Sequence, residues 1–110
     1  MSENKNYALI TGATEGIGYE LAKLFASDGY NLVIVARHPN ELEKKAAEFS
    51  KQGVNVIAIT KDLFTREEVF ALCKEVHSRN IQVDVLVNNA GQGVYGLFKD
   101  TELELSLIHI

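Results

Sequence analysis

Short apolar runs alternate along this chain with longer stretches in which apolar residues recur every three or four positions. The runs are typical of strands that are covered on both faces, and the stretches are typical of amphipathic helices. Strands that alternate with helices favour βαβ units and a parallel sheet. The pattern predicts four strands, at Tyr7–Thr11, Asn31–Ala36, Val54–Thr60 and Val83–Asn88.

Three helices are predicted between these strands. The first spans about Gly16–Ser27, the second follows His38-Pro39-Asn40, and the third begins at a capping box, Thr65–Glu68. Each helix has an apolar face that is expected to meet the sheet. The residues of these faces are Ile17, Leu21, Leu24 and Phe25 in the first helix, Leu42, Ala46 and Phe49 in the second, and Val69, Leu72, Cys73 and Val76 in the third.

The C-terminal segment repeats the capping-box pattern at Asp100–Glu104, which predicts a last helix that runs to Ile110. The four strands would then have the spatial order 3-2-1-4, the N-terminal half of a Rossmann-like, doubly wound α/β fold. The fourth strand would be an open, apolar edge. We therefore expect the 110 residues to be one dinucleotide-binding domain that is incomplete at its C-terminus, a fragment.

A glycine-rich turn, Thr11-Gly12-Ala13-Thr14-Glu15-Gly16-Ile17-Gly18, joins the first strand to the first helix. A turn in this setting presents backbone N–H groups and a positive helix N-terminus to a phosphate. Gly12 is expected to let the chain turn, Gly16 to leave room for a pyrophosphate, and Gly18 to let the helix pack closely. The turn is not the phosphate loop of NTPases, because no Gly-Lys-Ser/Thr follows it.

Polar residues follow the other three strands. Arg37 comes after Ala36, at the place where an acidic residue would bind the ribose hydroxyls of NAD. An arginine there can form a charge-assisted fork with a ribose 2′-phosphate, which favours NADP over NAD; the alternative is a solvated arginine at a strand end. Asp62-Leu63 follows the third strand, and Asn88-Asn89-Ala90-Gly91 ends the fourth. Ligands bind at the carboxyl ends of strands in open α/β sheets, so these segments are expected to line one site.

The spacing T-G-x-x-x-G-x-G, together with N-N-A-G, resembles the short-chain dehydrogenase/reductase family over the entire chain. The resemblance implies an enzyme that moves a hydride between a nicotinamide cofactor and a small-molecule alcohol or carbonyl substrate. It also implies that Asp62 and Leu63 meet the adenine, and that N-N-A-G ties the central strands and lines the cofactor ribose. The implied cofactor-binding residues are Gly12, Thr14, Glu15, Gly16, Ile17, Gly18, Arg37, Asp62, Leu63, Asn88, Asn89, Ala90 and Gly91.

The resemblance assigns no catalytic residue to this chain, because the family's serine and its Y-x-x-x-K tyrosine and lysine are expected further downstream. Glu15 departs from the basic residue that some NADP-preferring members carry there. The family also implies a homo-oligomer for the full-length protein. A non-catalytic dinucleotide-binding protein, or a sensor or interaction protein, remains the alternative.

Composition and charge argue against several classes of partner and location. The net charge is −4, with scattered lysines and arginines, which argues against a nucleic-acid partner. No apolar run approaches the length that spans a membrane, and the polar start of the chain does not resemble a secretory signal. The single cysteine, Cys73, fits a reducing compartment, so a cytoplasmic location is expected. His77 and His109 have no partner at metal-ligand spacing, so no metal is expected.

Overall fold

The computed structural model describes residues 6–14, 16–63, 65–89, 96–97 and 106–109, the last four by their backbone alone. Strands and helices alternate in this part of the chain, as the apolar pattern predicts. The elements are β1 Tyr7–Thr11, α1 Gly16–Ser27, β2 Asn31–Ala36, α2 Pro39–Ser50, β3 Val56–Thr60, α3 Arg66–Ser78, β4 Val83–Asn88 and β5 Ser106–His109.

All described strand pairs are parallel, and the sheet has the order β3-β2-β1-β4-β5. The predicted order 3-2-1-4 is therefore confirmed, with one further strand beside β4. β3 begins at Val56 and not at Val54. The Asn31 side chain explains the later start, because its Oδ1 accepts from the Asn55 N–H at 2.8 Å and regular pairing starts at Leu32 and Val56.

Helices cover both faces of the sheet, and successive strand residues alternate between them. Ala8, Ile10 and Ile34 are fully buried on the face covered by α1 and α2. Leu9 and Val33 are fully buried on the face covered by α3. Burying one such large apolar side chain contributes about 1.5–3 kcal/mol, so the double cover is the main stabilising feature of the central strands.

Helix α1 packs on the sheet through small residues, with Gly18, Ala22 and Ala26 buried at intervals of four. Ile17 is 56% exposed and Leu24 is 63% exposed, so the prediction that these two face the core was wrong. Small side chains let the helix approach the sheet closely, and this approach moves the larger side chains to its flanks and outer side. The apolar pattern favoured the larger residues because it does not account for the closeness of packing.

Helices α2 and α3 keep their predicted faces. α2 has Pro39 in its first turn and buries Leu42 and Phe49. α3 is capped by Thr65, whose Oγ1 accepts from the Glu68 N–H at 3.2 Å. None of the helices in the described part of the chain is both long enough and apolar enough to span a bilayer.

The C-terminal segment is a strand where a helix was expected. Ser106–His109 pairs with β4 from Val85–Ser106 to Asn88–His109, so His109 lies in a strand and β4 is not an open edge. A half-paired β4 would leave a row of backbone N–H and C=O groups without partners, and the segment satisfies them. The capping-box pattern is a local signal, so it carries no information about the unpaired backbone groups of β4. Asp100–Glu104, on which the helix was predicted, lies outside the described residues.

Candidate cofactor site

The carboxyl ends of four parallel strands lie side by side at one edge of the sheet. β1 ends beside β2 at the pair Thr11 and Val35, and β2 ends beside β3 at Ala36 and Thr60. On the other side of β1, Ile10 pairs with Val87 of β4. The sheet therefore brings together all four segments that the sequence assigned to one site, at the edge where open α/β sheets bind ligands.

The glycine turn between β1 and α1 is wide open on one side. Gly12 and Gly16 both have φ of 66°, in the left-handed region that favours glycine. The Gly12 N–H donates to the Val35 carbonyl at 2.9 Å, which ties the start of the turn to β2. A Cβ built on Gly16 would meet no atom within 4 Å. This space, beside the N-terminus of a helix without an acidic residue in its first turn, fits a phosphate group.

Gly18 has the opposite environment. A Cβ there would lie 2.2 Å from the Gly12 carbonyl oxygen and 2.8 Å from Asn89 Nδ2. The first turn of α1 thus rests directly on the backbone of the glycine turn, and no side chain fits between them. Thr14 is half-buried and Ile17 is exposed at the same turn, whereas Glu15 lies outside the described residues.

A hydrogen-bond network joins β1 to β4 below the turn. Thr11 is 1% exposed, and its Oγ1 accepts from the Asn89 N–H at 2.8 Å. The Thr11 hydroxyl faces two acceptors, the Val87 carbonyl at 3.4 Å and Asn88 Oδ1 at 3.5 Å. Asn89 Nδ2 donates to the Gly12 carbonyl at 3.3 Å. The asparagines therefore fix the end of β4 to the base of the turn.

Sequence reasoning missed the contribution of Thr11 to this network. The signal was present, because Thr11 is the small polar residue that ends the apolar run of β1. A polar side chain that is buried at a strand end needs hydrogen-bond partners, and the asparagines at the end of β4 were the available ones.

The ends of β2 and β3 carry the charged residues of the site. Arg37 and Asp62 are both exposed, each just beyond its strand. Leu63 is 8% exposed and packs in the core cluster beneath α3, so only a small part of its side chain is available to a ligand. Ala90 and Gly91 lie outside the described residues.

The Y-x-x-x-K spacing does occur in this chain, at Tyr19 with Lys23 and at Tyr95 with Lys99. The Tyr19 hydroxyl donates to the Glu48 carboxylate of α2, and this hydrogen bond raises the pKa of Tyr19. A catalytic tyrosine needs a lowered pKa to transfer its proton near neutral pH. The Tyr19 spacing therefore belongs to helix packing between α1 and α2, and Tyr95 lies outside the described residues.

The described residues hold no group of three or more histidine, cysteine, aspartate or glutamate side chains that could bind a metal ion. The described edge combines an open turn at a helix N-terminus, an arginine and an aspartate with a pair of asparagines that is hydrogen-bonded to the turn. This set of groups suits a ligand that carries phosphates at one end and hydrogen-bonding rings along its length.

Comparison with known proteins gives a family match over most of the chain. The sequence profile described as short chain dehydrogenase matches residues 6–107. The oxidoreductase UcpA of Escherichia coli is 40% identical over 93 residues, which are 84% of this chain and 35% of that protein. The 3-oxoacyl-[acyl-carrier-protein] reductase FabG of Staphylococcus aureus is 41% identical over 85 residues, 76% of this chain and 35% of that protein. The chain thus spans 35% of the length of these two relatives.

Solved structures agree with the sequence matches. An alcohol dehydrogenase from the archaeon Thermococcus sibiricus, complexed with 5-hydroxy-NADP, superposes with a TM-score of 0.73 at 43% identity, over 79% of this chain and 37% of that one. The L-sorbose reductase from Gluconobacter frateurii, complexed with NADPH and L-sorbose, gives a TM-score of 0.74 at 39% identity, over 80% of this chain and 34% of that one.

Proposed function

Because this chain belongs to the short-chain dehydrogenase family, we propose that the protein containing it is an NADP-dependent oxidoreductase that acts on a small-molecule alcohol or carbonyl compound. The observation that carries the proposal is the open space at Gly16, after β1, with Arg37 just past the end of the neighbouring strand β2, at the carboxyl edge of a parallel sheet. Two similar solved structures are complexes with 5-hydroxy-NADP and with NADPH, which supports this choice of cofactor.

The glycine turn would hold the pyrophosphate. Backbone N–H groups of the turn and the N-terminus of α1 supply the positive potential, and the space beside Gly16 admits the phosphates. We include Thr14, Glu15 and Ile17 in the proposed pyrophosphate site because they belong to the same turn in the sequence. Gly12 and Gly18 contribute by their shape, because Gly12 has a left-handed backbone and a side chain on Gly18 would collide with the Gly12 carbonyl.

The ends of β2, β3 and β4 would hold the nucleoside parts. Arg37 would contact the ribose 2′-phosphate, and Asp62 would accept from the exocyclic amine of the adenine, with the exposed part of Leu63 at the ring edge. Asn88 and Asn89 fix the end of β4. Ala90 and Gly91 come next in the sequence, and we propose that they would line the ribose. When bound, the cofactor supplies or accepts the hydride, and this chain orients it.

Arg37→Ala in the complete protein that contains this sequence tests the choice of cofactor. Losing a charge-assisted hydrogen bond to a phosphate costs about 1.5–3 kcal/mol, roughly ten- to a hundredfold in affinity. We expect Arg37→Ala to weaken NADPH binding by this factor and to leave NADH binding unchanged. Arg79→Ala is the matched control, because Arg79 also carries one exposed positive charge but lies at the far end of α3, beside Glu75. Equal NADPH and NADH affinities in the unsubstituted protein would refute the proposal.

A further inference from the structure

Lys61 follows β3 directly, as Arg37 follows the neighbouring strand β2. The pairing of Ala36 with Thr60 is continued by the Lys61 N–H, which donates to the Ala36 carbonyl at 2.9 Å. Residues that pair in a parallel sheet extend from the same face, so Lys61 and Arg37 share a face beyond the ends of their strands. Two cationic residues therefore stand at equivalent positions past the ends of neighbouring strands, where the sequence singled out one.

The ion pair of Lys61 is weak. Its Nζ lies 3.9 Å from Glu68 Oε1, with side chains that are 21% and 45% exposed. The pair is partly exposed and its separation is near the limit for an ion pair, so it contributes little, about 0.2–1 kcal/mol as for exposed pairs. Glu68 itself is fixed in the first turn of α3, where its N–H donates to Thr65. The lysine has a long, flexible stem, so its ammonium group can leave Glu68 for a stronger anion nearby.

Lys61 affects the balance of charge at the carboxyl ends of β2 and β3. The ends of β2 and β3 carry Arg37, Lys61 and Asp62, and the first turn of α3 adds Glu68, which is paired with Lys61. Without Lys61, the sum of Arg37, Asp62 and Glu68 is a net negative charge, because the Arg66 and Glu67 charges in the same turn of α3 cancel, and a net negative charge disfavours a phosphate dianion. Lys61 balances the second carboxylate, and it becomes available to the phosphate when its pair with Glu68 opens.

We propose that Lys61 is a further specificity-determining residue of the cofactor site, whose ammonium group exchanges Glu68 for the ribose 2′-phosphate beside Arg37. The proposal rests on the proposed function and adds a second cation to it. Glu68 acts against phosphate binding in this arrangement, because it competes for Lys61 and adds negative charge at the edge. NADH has no 2′-phosphate, so its binding should not depend on either residue.

Three variants of the complete protein test the proposal by titration with NADPH and with NADH. Lys61→Met should weaken NADPH binding about two- to fivefold, the range that corresponds to an exposed ion pair, and should leave NADH binding unchanged. Glu68→Gln should strengthen NADPH binding by a similar factor. Lys74→Met is the matched control, since Lys74 is an exposed lysine further along α3. The effect of Lys61→Met should shrink in 1 M salt, where charges are screened within about 3 Å.

The outcomes separate this proposal from the choice of cofactor. If the unsubstituted protein prefers NADPH and Arg37→Ala removes that preference, but Lys61→Met behaves like Lys74→Met, the role of Lys61 is refuted and the proposed function stands. A Lys61→Met variant that loses NADPH and NADH affinity equally also refutes it. Glu68→Gln should change NADPH affinity in the opposite direction, so it tests the proposal even if Lys61→Met fails to fold. Unchanged or weaker NADPH binding by Glu68→Gln would refute the role of Lys61. An unsubstituted protein without any preference for NADPH refutes the choice of cofactor itself.

Discussion

Gly16 and Gly18 stand two positions apart and serve different physical needs. Gly16 has a left-handed backbone with open space beside it, whereas Gly18 has a backbone carbonyl 2.2 Å from where a side chain would start. The first position can host a ligand, and the second can only hold the helix against the turn. The two glycines should therefore respond differently to the same added methyl group.

Gly16→Ala should weaken cofactor binding more than it weakens folding. The left-handed backbone costs alanine roughly 1–2 kcal/mol, and the added methyl occupies the space proposed for the pyrophosphate. Gly53→Ala is the matched control, because Gly53 has φ of 87° and equally open surroundings but lies between α2 and β3, at the opposite edge of the sheet. Thermal melting and NADPH titration together measure the two effects. Equal NADPH affinities for the two variants would contradict the role given to Gly16.

Thr11→Val should destabilise the fold through the network that joins β1 to β4. Valine has nearly the same shape but cannot accept from the Asn89 N–H, and a buried donor without a partner costs about 1–3 kcal/mol. Urea unfolding measures the loss. Thr60→Val at the exposed end of β3 is the control and should change the free energy of unfolding by less than about 0.5 kcal/mol. A Thr11→Val variant as stable as the control would show that the network contributes nothing.

Among the elements, those that bury large side chains were predictable from the sequence. β2, α2 and β4 match their predicted positions because Leu, Ile, Val and Phe dominate their buried faces. The inward face of α1 was missed because the helix approaches the sheet through Gly18, Ala22 and Ala26. These small residues contribute little to an apolar pattern. β5 was missed because its conformation is set by the unpaired backbone of β4 and not by its own pattern.

In the candidate site, too, features that depend on packing between elements could not be predicted from the sequence. The glycine turn and the polar strand ends could be found because their residue types are unusual beside apolar strands. The network around Thr11 and the position of Lys61 beside Arg37 depend on which strands are neighbours and in what register. Those facts become available only with the folded sheet.

Thr65→Ala should weaken the start of α3. The Thr65 hydroxyl accepts from the Glu68 N–H at 3.2 Å, and removing such a cap costs about 1 kcal/mol. Thr65→Ser keeps the oxygen and should retain most of the stability. Urea unfolding of both variants tests the assignment, which fails if serine and alanine cost the same.

Tyr19 should make the contact between α1 and α2 sensitive to alkaline pH. Its hydroxyl donates to Glu48, which raises the pKa of Tyr19 above its unfolded value of about 10. The resulting stability is fully present below the unfolded pKa and is lost as pH rises through the folded pKa. Tyr19→Phe should therefore flatten the fall in the free energy of unfolding above about pH 10. An unchanged alkaline fall in Tyr19→Phe would contradict this account.

The carboxyl and amino ends of the strands differ in the residues and turns that they carry. The carboxyl edge carries the open turn, Arg37, Lys61 and the asparagine pair. At the amino edge, tight turns close the connections into β2, β3 and β4 through Gly29, Gly53 and Asn80, all with positive φ. We propose that only the carboxyl edge receives a dinucleotide.

Hydrogen exchange of the complete protein, with and without saturating NADPH, distinguishes the two edges. We expect slower exchange of backbone amides in residues 12–18, 37–38, 61–63 and 88–89, at the carboxyl edge. We expect unchanged exchange in residues 28–30, 52–55 and 79–82, at the amino edge. Protection confined to the amino edge, or no protection at either edge at saturating NADPH, would contradict this proposal.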